Sequence, residues 1–112
     1  MRFSKLQKAD IIADIYFLLP EEDGRKYSVP NGFRANHDFG IAGMLNDAMH
    51  QYVECESVPL GNNVEAYLLF LCPEYQEERL FIGMEFTVRE GGKIIGKGKI
   101  KKVINSKLEK NI

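Results

Sequence analysis

The sequence predicts a β-rich domain, and three observations carry that expectation. A glycine pair, Gly91-Gly92, joins two stretches whose side chains alternate between opposite faces. VPLGNNVEAYLLFLCP (58–73) reads as a turn followed by a strand from Val64 to Cys72, stopped by Pro73. At 112 residues, 45% of them hydrophobic, the chain has room for one core and one domain. Pattern alone leaves all-β and α+β architectures open, because two other segments fit either a helix or a strand.

Residues 1–8 read as a polar lead-in. ADIIADIYFLL (9–19) is the first ambiguous segment. Ile11, Ile12, Ile15, Leu18 and Leu19 would stripe a helix, whereas Ile11, Ala13, Ile15, Phe17 and Leu19 would line one strand face. Pro20 closes it, and EEDGRK makes a turn. GIAGMLNDAMHQY (40–52) is the second. Ile41, Met44, Leu45, Ala48, Met49 and Tyr52 match a helical stripe, against which Gly40 and Gly43 cost about 1 kcal/mol each. The glutamates of PEYQEER (73–79) read as a solvated loop. Residues 106–112 are a tail. No repeat, low-complexity tract or internal linker interrupts the chain.

The stretch REGGKIIGKGKIKK (89–102) looks most like chemistry. Gly91, Gly96 and Lys97 have the spacing of a phosphate-binding P-loop. Gly98 stands where the magnesium-binding hydroxyl belongs, however, and a strand-like run follows instead of a helix. A hairpin explains more. Gly91-Gly92 can take positive φ at both positions of a type I′ turn. Before it, Met84, Phe86 and Val88 share one face, and Glu85, Thr87 and Arg89 the other. After it, Lys97, Lys99 and Lys101 lie opposite Gly96, Gly98 and Ile100, glycines in a strand marking a bend or close backbone packing.

Charge is unevenly placed. The net is −1, yet segment 93–112 holds seven Lys and one Glu, leaving −7 on the other residues. A lysine edge can grip a polyanion, or it can guard a strand against aggregation. The guard is preferred here because that segment contains no arginine. No apolar run approaches the roughly 20 residues of a membrane span, and no signal peptide opens the chain. Two cysteines, Cys55 and Cys72, are too few for a secreted disulfide scaffold. A cytoplasmic protein with reduced thiols is the expectation.

Catalytic constellations are thin. His37 and Asp38 are adjacent, His50 lies beyond, and neither these nor the cysteines have metal-ligand spacing. A loop or core role is the simpler reading for each. DFG at 38–40 lacks every other kinase signature. The sequence therefore implies no enzyme, no metal, no cofactor and no nucleotide.

From Ala9 to Asn105 the chain resembles the third, C-terminal domain of bacterial elongation factor Tu. The resemblance is carried by IADIYFLLPEEDGR, NGFR at 31–34, VPLGNN at 58–63, Cys72-Pro73, and FTVREGGKIIGKGKIKKV at 86–103. It implies an all-β fold, a closed six-stranded antiparallel β-barrel over 9–105, with strands in both ambiguous segments. It also implies that the REGG turn joins the last two barrel strands.

The family's third domain helps to bind the T-stem of aminoacyl-tRNA and packs against its neighbouring domains. By resemblance, Glu90 and Gly91 match a tRNA-contacting turn and Arg34 keeps the family's arginine. The following Pro-Gln-aromatic is here Ala35-Asn36-His37, the threonine-rich stretch is GIAGMLN, and Cys72 stands where some members are basic. A phosphate grip needs such cations and hydroxyls, and most are missing. The family's GTPase domain has no counterpart in these residues.

Two functions follow as expectations. The favoured one is a stand-alone interaction module that binds a protein partner in a regulatory, decoy or immunity-type role. The alternative is a module for tRNA or other RNA, using the REGG turn and the lysine strand. Candidate binding residues are Arg34 and Asn36, with Arg89, Glu90 and Gly91 at the turn, and Lys97, Lys99 and Lys101 on the basic face.

Overall fold

The computed structural model describes residues 9–22, 24–41 and 46–110. Six strands close into an antiparallel barrel: β1 (Ile11–Phe17), β3 (Arg34–Asp38), β4 (Asn46–Tyr52), β6 (Asn63–Phe70), β7 (Glu85–Glu90) and β8 (Lys93–Val103). Their order around the barrel is β1-β6-β4-β3-β7-β8, and β8 returns to β1. Two short strands, β2 (Val29–Pro30) and β5 (Ser57–Val58), form a separate ribbon at one end. Among the described residues the only helical pieces are 3₁₀ turns at Pro20–Glu22, Pro73–Gln76 and Ser106–Leu108. The expected fold class is the one observed.

Both ambiguous segments contain strands, Ile11–Phe17 in the first and Asn46–Tyr52 in the second. In β1, Ile11, Ala13, Ile15 and Phe17 are fully buried while Ile12, Asp14 and Tyr16 face outward. That is a period of two, and the helical stripe is lost. In β4, Ala48, His50 and Tyr52 point inward. Met44 and Leu45, which belonged to the helical alternative, lie outside the described residues, as do 1–8 and 111–112. The strand expected over Val64–Cys72 is paired over Asn63–Phe70, and Pro73 opens the 3₁₀ turn that ends it.

Inward side chains of all six strands make one core, including Leu68, Phe70, Phe86, Val88, Ile95 and Ile100. Fully burying each large aliphatic or aromatic side chain contributes about 1.5–3 kcal/mol. Small residues let the sheet curl tightly enough to close. Gly98 is paired with Phe86 across β7–β8, and a Cβ at Gly98 would stand 2.3 Å from the Phe86 ring. Two one-residue bulges sharpen the coil of β8, placing Ile95 opposite the Val88–Arg89 step and Lys101 opposite Ile12–Ala13. The Gly91-Gly92 turn has φ of 60° and 84°, as a type I′ turn requires.

Side chains seal the barrel ends. Buried Asp10 accepts from the Phe70 amide at 2.8 Å and from Asn105 Nδ2 at 2.9 Å, tying the start of β1 to the ends of β6 and β8. At the other end the Asn31 amide donates to the Tyr52 and Cys55 carbonyls and accepts from the Tyr52 N–H. Beyond β8, Leu108 is buried, and its carbonyl accepts from Leu80 N–H at 2.9 Å. Cys55 and Cys72 are unbridged.

Candidate functional site

Three regions of the barrel carry chemistry beyond simple packing. The first is interior. β3 and β4 pair in register from Arg34–Met49 to His37–Asn46, so the inward parity of both strands brings His37 and His50 together. Their Nε2 atoms are 2.8 Å apart, His37 Nδ1 lies 3.1 Å from the Asn46 carbonyl oxygen, and His50 Nδ1 lies 3.0 Å from the Tyr52 hydroxyl. Both imidazoles are fully buried, packed among Phe17, Phe33 and Phe86.

Burial fixes the protonation of this chain. Desolvation holds His37 down at about 4, and the same cause, with the neighbouring His37, holds His50 well below the ordinary imidazole value. Burial raises the Tyr52 phenol, which therefore keeps its proton. A carbonyl only accepts, so His37 Nδ1–H donates to Asn46 and its Nε2 is bare. His50 Nε2–H then donates to His37, and the Tyr52 O–H donates to His50 Nδ1. Hydrogen bonds run one way, from Tyr52 to Asn46. The arrangement is dry and enclosed. Among the described residues no three metal-ligating side chains gather around it or elsewhere.

The second region is the outer face of β7 and β8. Lys97, Lys99 and Lys101 all point outward, as the alternation predicts. Carboxylates from neighbouring strands meet two of them: Lys101 lies 2.7 Å from Glu65 and 4.0 Å from Asp14, and Lys99 is 3.9 Å from Glu85. Lys97 is close enough to lower the Glu22 carboxyl, after that group's bonds to the Leu19 amide and the Tyr16 hydroxyl. An open depression of about 700 Å³ spans this face. Its lining sets Asp14, Asp38 and Glu85 against Arg89, Lys97 and Lys99, so opposite charges alternate and no cationic groove results.

Of the other expected binding residues, only Arg89 shares that depression. Arg89 reaches Asp38 at 3.2 Å, and Glu90 faces Arg25 at 3.8 Å beside the exposed Gly91 turn. Asn36 donates to Asp47 on the next strand. Arg34 lies on the outside of β3, and it makes no ion pair among the described residues. Register places Arg34 beside Met49, away from the lysines of β8.

The third region is an apolar outer face centred on β6. Tyr67, Leu69 and Leu71 point outward in succession; cross-strand neighbours set Ile12 beside Tyr67, and Met49 beside Leu69. Leu71 is 64% exposed and nearby Tyr75 is 54% exposed, while Ile12, Met49, Tyr67 and Leu69 are half-buried; on β7 and β8 the outward positions are polar or charged except for half-buried Ile94. Arg34 and Asp47 line a small cleft of about 180 Å³ there with Met49, Leu69 and Leu71. The barrel thus has a wet side and a dry side.

No family model matches the chain. Sequence reasoning placed His37 and His50 in loop or core roles without joining them. The signal was the alternation Ala48-His50-Tyr52, legible only once 46–52 is read as a strand. The dry face was also missed, although YLLFL is apolar at both parities, the mark of a strand with two covered faces.

Proposed function

We propose that this barrel is a non-catalytic interaction module that works by binding a protein, in a regulatory, decoy or immunity-type role. The observation that carries this reading is the outward apolar row Tyr67, Leu69 and Leu71 with Met49 and Ile12. A closed antiparallel barrel in water carries polar side chains outside, and an outward apolar row of four half-buried side chains ending in exposed Leu71 is a surface suited to cover by another protein. The opposite face favours no polyanion. Lys99 and Lys101 already face carboxylates, and each phosphate contact would have to displace one.

Barrels with native Leu69 and with Leu69→Asp, immobilised and exposed to the same extract of the native cells, test the reading. Protein retained by the native barrel and released by the substitution supports it. Retained tRNA or other RNA, surviving physiological salt and lost on Lys97→Glu with Lys99→Glu, would overturn it in favour of an RNA-binding module.

A further inference from the structure

We infer that the dry face is a self-association surface, and that the protein it binds is a second copy of this chain. The inference rests on the protein-binding reading above and names its partner. A two-fold interface must be self-complementary, because each patch meets itself. This face satisfies that condition in both apolarity and charge.

Arg34 on β3 pairs in register with Met49, which pairs with Leu69. Asn36 pairs with Asp47, and the Leu71 amide donates to the Asp47 carbonyl oxygen at 2.9 Å. Arg34 and Asp47 therefore sit on a diagonal, one strand and one outward position apart. A two-fold axis in the plane of the face, crossing the midpoint of that diagonal at right angles, runs over Met49 towards Leu69. It sets the Arg34 of each copy against the Asp47 of the other and stacks the aliphatic side chains between them.

Charge supports the same occupant. Arg34 is exposed and makes no ion pair among the described residues. Asp47 is exposed too, with Oδ1 taken by Asn36 and Oδ2 without a hydrogen bond among the described residues. One cation and one carboxylate flank the apolar centre, and they are the two charges an isologous pair consumes. A net charge of −1 per copy adds little repulsion. Among the described residues backbone pairing offers no long free edge, since the barrel ring is closed and the β2–β5 ribbon spans two residue pairs.

Sedimentation equilibrium of the full chain across a wide concentration range tests the inference. The native protein is expected to shift from monomer to dimer. Leu71→Asp, at a position too exposed to unfold the barrel, should weaken that dimer by at least about 30-fold, the scale of an interface hot spot. Arg34→Asp and Asp47→Arg should each weaken it, and the double exchange should restore it, because the reversed pairs still match. A native chain that stays monomeric, or a dimer indifferent to Leu71→Asp and to the charge exchange, would overturn the inference. A monomer that still captures a different protein through Leu69 leaves the protein-binding reading standing. A monomer that captures none removes both.

Discussion

His37 and His50 meet Nε2 to Nε2 at 2.8 Å inside a closed barrel, and one proton between them links strands β3 and β4. The chain from Tyr52 could reverse to admit one added proton, His37 then donating to His50 and His50 to the Tyr52 oxygen. A second added proton would set two donors face to face. Even the first places a charge in a site walled by Phe17, Phe33 and Phe86.

Acid sensitivity is the first consequence. Both imidazoles titrate lower in the folded chain than in the unfolded one, where the value is about 6.5. The unfolded state therefore binds more protons below that value, and stability falls as pH drops. It should be fully present above about 6.5 and lost progressively towards 4, by about 3 kcal/mol for His37 alone. Urea midpoints measured between neutrality and pH 4 check this. A flat profile above pH 5 would show that the imidazoles titrate normally.

Tyr52→Phe removes one hydroxyl and leaves His50 Nδ1 buried without a donor. The expected cost is about 1–3 kcal/mol, the penalty of an orphaned buried polar atom. Changing His50 as well, to a ring of similar shape without nitrogens, should cost less than the two changes summed. A double-mutant cycle on denaturation midpoints measures the coupling. Additive effects would mean that the hydroxyl and the imidazole are independent.

Gly98 has no room for a side chain. Alanine there should destabilise the barrel by about 1–3 kcal/mol, because its Cβ would enter the Phe86 ring. Pairing it with Phe86→Leu should recover part of that loss. Thermal melts of the three variants decide the matter, and a harmless Gly98→Ala would refute close packing at this crossing.

The Gly91-Gly92 turn makes a different demand. A Cβ at either glycine meets nothing within 4 Å, so any penalty comes from backbone conformation alone. Valine at both positions should cripple folding, since a β-branched residue resists positive φ. Gly91→Asn with Gly92 retained gives the asparagine–glycine pairing favoured in type I′ turns, and it should be nearly neutral. Circular dichroism and melting temperature separate the two outcomes.

Much of this barrel is legible in the residues. The hairpin around Gly91-Gly92, the alternation of β7 and the outward lysines of β8 follow from period and turn chemistry. β1 and β4 did not, because Ile11–Leu19 satisfies a helix and a strand equally well. Tertiary pairing decides such cases: Ile11, Ala13 and Ile15 are buried between β6 and β8, whose partners lie far away in sequence. Ion pairing was also hidden. Lys101 meets Glu65 only because β1 lies between β8 and β6, an adjacency that no local pattern encodes.

Closure of the ring by β1 and β8 has a consequence for how the chain acquires its shape. Strand β1 cannot be paired on both sides until β8 has been made, so a growing chain carries Ile11–Phe17 with one edge open until then. Local pairing gives early order to the β3–β4 pair and, through its two-residue turn, to the β7–β8 hairpin. Such long-range closure places folding in the millisecond-to-second range of non-local β topologies. Vulnerability to misassembly is therefore greatest before Val103 has emerged, and it ends when β8 docks against β1.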